Sequence, residues 1–218
     1  MPTKDIALPS LVYEMILGYY LDVSPAAFLS AVHNWPSDIY NPEPIISAVQ
    51  TKWATHQDDH NLMEALAELY LITDQPREVV KFYVRLNKPE TFEFIRRFRL
   101  FDVVKEDVER FLKLKVQGQE ENEPEEPNAE GLALLIDHSH TIPPETVLKQ
   151  LSSNQYFQYF YVRALREREG GFLEDWGDLQ VDLYAAFSRP ELLYFLKTSN
   201  TYDLEKVVTL CKNKLISG

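Results

Sequence analysis

His56 and His60 stand four residues apart with Asp58 and Asp59 between them. On a helix that spacing would put both imidazoles on one face and could begin a metal site. The surrounding stretch, THQDDHN (55–61), reads instead as a polar link and helix cap. His138 and His140, beside Asp137, form a second small cluster just ahead of Pro143-Pro144, again where a loop is expected. A zinc site wants three or four ligands, each oriented by a further hydrogen bond, so neither cluster is assigned a metal. Cys211 is the single thiol. It falls on the apolar stripe of the last expected helix, beside Val207 and Val208, where cysteine behaves as a small inert hydrophobe. No serine lies in a Gly-x-Ser-x-Gly elbow. The glycines are scattered, with only Gly170-Gly171 adjoining, and so offer no cradle for a phosphate. The acid pairs Asp58-Asp59, Glu120-Glu121 and Glu125-Glu126 lie in polar loops. No catalytic, cofactor-binding or metal residue is assigned, and the chain reads as a non-enzyme.

Two other features suit binding rather than catalysis. Between Arg85 and Lys115 the chain carries net charge +3, with Arg96, Arg97 and Arg99 clustered, while the remainder carries −15. A positive face on an acidic protein could meet an acidic partner segment or a lipid headgroup, but pairing of these charges along their own helices is the preferred reading. The stretch QYFQYFYVRAL (155–165) places Tyr156, Phe157, Tyr159, Phe160 and Tyr161 around a whole helix circumference. A helix apolar all round is buried on every side, so an inner helix is expected in preference to a docking surface.

The elements that must position these residues are helical. The 218 residues carry formal charge −12, with 45% apolar and 26% charged side chains, an ordinary globular composition. The acidic balance speaks against a general nucleic-acid binder. One cysteine fits a reducing cytosol. The longest uncharged run, Val23–Ser37, is interrupted by prolines and polar residues and falls short of the ~20 apolar residues of a bilayer span, so no direct membrane insertion is expected.

Apolar residues recur at helical spacing in Val12, Ile16 and Tyr19, in Leu62, Leu66 and Leu69, and in Val104, Val108, Phe111 and Leu112. Leu179, Leu183, Ala186 and Phe187 continue the pattern, and Leu204, Val207, Val208, Cys211 and Leu215 close it. Pro9, Pro25, Pro44, Pro76, Pro89, Pro144 and Pro190 mark helix starts. The pattern predicts helices over 10–22, 25–34, 44–55, 60–72, 77–86, 90–99 and 103–116. It predicts further helices over 130–138, 144–152, 155–168, 176–187, 190–198 and 203–214.

Short amphipathic helices cannot bury their stripes alone. The expected fold is therefore all-α, an α-solenoid of stacked antiparallel helical hairpins over 1–218. In the pair 61–86, Ala65, Leu69, Tyr70, Val79, Val80 and Tyr83 follow a degenerate tetratricopeptide-like pattern without its Trp and Gly. The segment 117–130, QGQEENEPEEPNAE, holds six glutamates and two prolines. It is expected to be a mobile acidic loop between sub-blocks 1–116 and 130–218.

Four blocks then carry a resemblance: PSLVYEMILGYYL (9–21), NWPSDIYNPEPIISAVQ (34–50), ALAELY (65–70) and LYAAFSRPELLYFLKTSNTYDLEKVVTLC (183–211). They resemble the vacuolar protein sorting-associated protein 41 family, subunits of the homotypic fusion and protein sorting (HOPS) tethering complex. The resemblance runs from near residue 6 to 214 and implies a helical fragment that includes the start of a clathrin heavy-chain-repeat-like region. It implies other HOPS tethering subunits as partners. Rab GTPase and adaptor-coat contacts are expected only through parts absent here, the N-terminal β-propeller and the C-terminal RING-like module. The implied location is cytoplasmic, peripheral to vacuole, lysosome and late endosome membranes, and the implied role is a non-catalytic spacer and docking segment. A scaffold of another coat or tethering subunit, or a short-peptide-binding tetratricopeptide-like module, stays open as an alternative.

Overall fold

Short links between successive helices bring most of them against a neighbour in sequence. The computed structural model describes residues 8–115, 126–168 and 174–216, and every regular element among them is helical. These residues form 14 α-helices, and the chain divides into two compact units, Met1–Val103 and Val104–Gly218. Residues 117–125 of the expected acidic loop lie outside the described residues.

The first unit holds α1 (Ser10–Val23), α2 (Pro25–Asn34), α3 (Pro42–Thr55), α4 (His60–Ile72), α5 (Pro76–Arg85) and α6 (Thr91–Phe98), with α1 against α2, α3 against α4, α4 against α5 and α5 against α6. Contacts to the next helix but one, α1 on α3 and α2 on α4, turn the row into a stack of the solenoid type. Starts are capped as expected: Ser24 accepts from the Ala27 N–H at 3.3 Å, and Asp59 accepts from Asn61 at 2.9 Å and Leu62 at 3.3 Å. Helix α3 begins two residues before the expected Pro44, because Asn41 caps it and Pro42 takes the first position. Pro44 then sits in the first turn, where its missing N–H would have no partner anyway.

Helix α4 lies at the centre, with Leu62, Met63, Ala65, Leu66, Ala67, Leu69 and Tyr70 all buried against α2, α3 and α5. The tetratricopeptide-like pair is therefore α4 and α5, with Ala65, Leu69, Tyr70, Val79 and Val80 buried and Tyr83 half-buried. Helix α1 corrects the sequence reading. Its buried face is Tyr13, Leu17 and Leu21, whereas Val12 and Ile16 are half-buried and Tyr19 is exposed. The helix is apolar nearly all round, so its neighbours α2 and α3 choose which face is covered.

Three helices of this unit end in the same way without glycine. Asp74, Asn87 and Arg99 adopt left-handed φ values of 53°, 51° and 54°. The following N–H in each case reaches back five residues, Gln75 to Tyr70 at 2.9 Å, Lys88 to Tyr83 at 3.0 Å and Leu100 to Ile95 at 3.0 Å. These are Schellman closures, which satisfy the last carbonyls of α4, α5 and α6. Asp and Asn tolerate the left-handed region through their short polar side chains; arginine does not.

The second unit contains α8 (Val108–Leu112), α9 (Ala129–Asp137), α10 (Pro144–Gln150), α11 (Gln155–Arg168), α12 (Gly177–Phe187), α13 (Arg189–Thr198) and α14 (Leu204–Ile216). The short α7 (Phe101–Val104) runs up to it. The single helix expected over 103–116 is thus broken in two, and the break has a tertiary cause. Gln150, on α10, accepts from the Val108 N–H at 2.9 Å through Oε1 and donates through Nε2 to the Lys105 carbonyl. Asp107 caps α8 through the Arg110 N–H at 3.2 Å. One amide side chain from elsewhere thereby satisfies both broken ends. Asn128 does similar work at the start of α9. It is buried, accepts from the Gly131 N–H at 2.9 Å and donates to the Leu114 carbonyl at 2.8 Å. Gly177 opens α12 against the 199–203 link, where a Cβ would run into the Thr201 backbone carbonyl.

Arg99→Gly should keep the fold and raise stability by about 0.5–1 kcal/mol, because it relieves a left-handed arginine; thermal unfolding reads this, and a lower Tm would contradict the strain. Gln150→Ala should lower stability by about 1–2 kcal/mol and speed amide exchange at Val108, measured by hydrogen exchange.

Candidate docking surfaces

The aromatic stretch forms α11, an inner helix. Phe157, Tyr159 and Tyr161 are buried, as are Val162 and Leu165, against α9, α12 and the 3₁₀ turn Leu151–Ser153. Its rings are engaged within the unit: Tyr156 and Tyr159 lie 5.4 Å and 5.6 Å from Phe187, and Tyr159 meets Tyr184 edge-on at 6.2 Å. Burial and a hydrogen bond to Glu191 push the Tyr159 hydroxyl above its ordinary value. Arg166 extends the cluster, its guanidinium 5.0 Å from Phe195, 5.4 Å from Tyr194 and 6.0 Å from Tyr184. A cavity of about 310 Å³ opens between α11, α12 and α13 beside it. Within that cavity Arg163 pairs with Glu167 at 3.3 Å and Glu191 at 3.2 Å, so these charges tie α11 to α13.

The basic stretch is largely engaged in the same manner. Arg85 lies over Trp53 at 5.0 Å, Lys88 pairs with Glu64, and Arg97 lies over Phe98 at 5.5 Å. Arg110 pairs with Asp107 at 3.5 Å and Lys113 with Glu109 at 2.8 Å. The Lys113 hydrogen bond holds the Glu109 carboxyl below its usual range. Arg96, Arg97 and Arg99 are all exposed, but on α6 Glu90 and Glu93 share the exposed side with Arg96 and Arg97.

The histidines occupy the helix ends where the sequence placed them. His56 closes α3, with Nδ1 2.8 Å from Thr55 Oγ1, and His60 opens α4 with Nδ1 3.2 Å from the Asp58 carbonyl. They therefore belong to two different helices and share no face. The rings of His138 and His140 lie 5.9 Å apart after α9, and burial together with His140 holds His138 below its ordinary value. Among the described residues no three His, Cys, Asp or Glu side chains converge on a point that could hold a metal. The Cys211 side chain lies outside the described residues. Sequence reasoning missed the pair His33–Glu68, 2.9 Å apart between α2 and α4; a separation of 35 residues leaves no local signal.

The fold also leaves several large apolar side chains facing outward. On α1, Leu11, Met15, Tyr19 and Val23 are 63%, 68%, 63% and 63% exposed at a constant spacing of four residues. Leu193 and Tyr194 on α13, and Leu204 and Val208 on α14, are exposed as well. No helix among the described residues is long and apolar enough to cross a membrane. Exposed apolar helix faces on a helical stack suit protein contacts.

A family model described as the Vps41 TPR-like region matches residues 1–216. The chain belongs to the Vps41 family. It is 32% identical to the vacuolar protein sorting-associated protein 41 homolog of Arabidopsis thaliana, over 98% of this chain and 22% of that protein. Against the Schizosaccharomyces pombe protein 41 identity is 29%, over 97% of this chain and 24% of the relative. Against the Homo sapiens homolog it is 26%, over 98% and 24%. The chain thus spans about a quarter of the length of these Vps41 relatives. No solved structure matches it. Within this Vps41 segment, the central α4 and the inner α11 carry many of the buried residues of their respective units.

Phe157→Ala should destabilise the second unit by about 3–5 kcal/mol, as a buried ring replaced by a cavity does. Arg97→Ala should stay within about 0.5 kcal/mol of the parent. Thermal unfolding of both variants separates an inner helix from a solvated charge cluster; equal, small effects would place the α11 rings at a surface.

Proposed function

We propose that this chain is a non-catalytic scaffold and protein-docking segment of a membrane-tethering complex subunit, acting where vesicles and late endosomes fuse with the vacuole or lysosome. The observation that carries this reading is the Vps41 TPR-like match over residues 1–216, borne by relatives named for vacuolar protein sorting. The packing supports it. Arg163–Glu191 and His33–Glu68 tie helix to helix, while apolar side chains on α1, α13 and α14 face outward. A stack in which each helix touches only near neighbours extends without a larger core, which suits a spacer between distant parts of an assembly. The partners are other subunits of the HOPS tethering complex, and the location is the cytoplasmic face of vacuole, lysosome and late endosome membranes, reached through that complex. The test is co-expression of the tagged chain with the remaining subunits of that complex. Co-elution in one size-exclusion peak at fixed stoichiometry is expected. Elution of the chain alone, with the other subunits assembled without it, would overturn the reading.

A further inference from the structure

Most of the basic stretch is tied up within the fold, but the end of α6 is not. Phe92 and Ile95 are buried and the helix lies against α5, which leaves Arg96, Arg97 and Arg99 exposed around its last turn. Among the described residues the Arg97 side chain meets only the Phe98 ring, itself 37% exposed. The Arg99 side chain makes no hydrogen bond, ion pair or ring contact there. Arg99 is also the residue held at φ 54°, a conformation that strains an arginine and would not strain a glycine. A helix C-terminus attracts cations, which accounts for Arg96 and Arg97. It does not account for a third guanidinium on a strained backbone just beyond the helix, and strained positions of this kind cluster at functional sites.

The charge of the cluster sets the sign of its ligand, and its surroundings limit the ligand's extent. Glu90 and Glu93 share the exposed side of α6 further back, and outside residues 85–115 the chain carries −15. A bilayer surface or a nucleic acid laid across this region would meet those acids as well as the arginines. A short peptide segment can rest on the last turn alone. All three cations are arginines, whose planar forks bind a carboxylate through two N–H groups at once. Phe98 among them offers apolar surface to a residue beside the acids. We propose that the end of α6 docks a short acidic segment of another protein, a run of Asp or Glu side chains on Arg96, Arg97 and Arg99 and an adjoining apolar side chain on Phe98. This rests on the docking reading above and names the chemistry of one partner.

The test titrates the full chain into the fluorescent peptide GEEDELG, its neutral counterpart GQQNQLG, and vesicles of equal parts phosphatidylcholine and phosphatidylserine. The acidic peptide should bind, more weakly as salt rises, and the neutral one should not. The double variant Arg97→Ala/Arg99→Gly should keep or raise the Tm while weakening the acidic peptide about tenfold or more. Arg189→Ala/Lys197→Ala removes the same charge from the exposed side of α13 and should change binding less than about twofold. No preference for the acidic peptide, or an equal loss in both double variants, would overturn the site. Vesicle binding that depends on Arg97 and Arg99 without peptide binding would assign the cluster to lipid instead, and self-association that depends on them would assign it to a second copy. Each of these failures leaves co-elution with the tethering subunits untouched, so the scaffold reading stands or falls separately.

Discussion

Helices of about ten residues are not stable alone in water, and most of this chain is made of them. Each persists because a neighbour covers its apolar face and because its ends are capped. The buried stripe of α4 shows the first condition at its fullest. Seven of its thirteen residues are buried, and α2, α3 and α5 all lean on it. Remove that shared burial and α2, α3 and α5 lose the surface they share. In the second unit α11 has the same place, its Phe157, Tyr161, Val162 and Leu165 enclosed by α9, α12 and the turn after α10.

Capping, the second condition, explains a chain with only seven glycines. Ser24, Asn41, Asp59 and Asn128 hold helix starts through their side-chain oxygens. Asp74, Asn87 and Arg99 end helices in left-handed conformations that glycine usually supplies. Gln150 does both tasks at once for a helix it does not belong to. Polar side chains therefore set where helices stop, while apolar ones set what they lie on.

Many of the charges between helices are engaged within the fold. Arg163 is held by Glu167 and Glu191, Lys88 by Glu64, and Arg166 by three rings. None of these clusters assembles a nucleophile, a base and an orienting partner of the kind that catalysis requires. Large apolar residues on α1, α13 and α14 stay exposed among the described residues.

Helix type and most boundaries were legible in the residues, because periodicity, prolines and caps act within a few positions of one another. The starts at Pro25, His60, Pro144 and Gln155 follow directly. The inner position of α11 was legible in part: Phe157, Tyr159 and Tyr161 are buried, whereas Tyr156 and Phe160 are half-buried and Arg163 and Glu167 face solvent. The family, too, was readable from the blocks at the two ends. Three matters were decided only by tertiary structure. The break at Lys105–Asp107 depends on Gln150, some forty residues away. His33 meets Glu68 across two helices. The buried face of α1 is Tyr13, Leu17 and Leu21, whereas Val12, Ile16 and Tyr19 fit the helical period equally well. A helix apolar on nearly all sides carries little preference of its own, so its exposed stripe is whatever its neighbours leave uncovered.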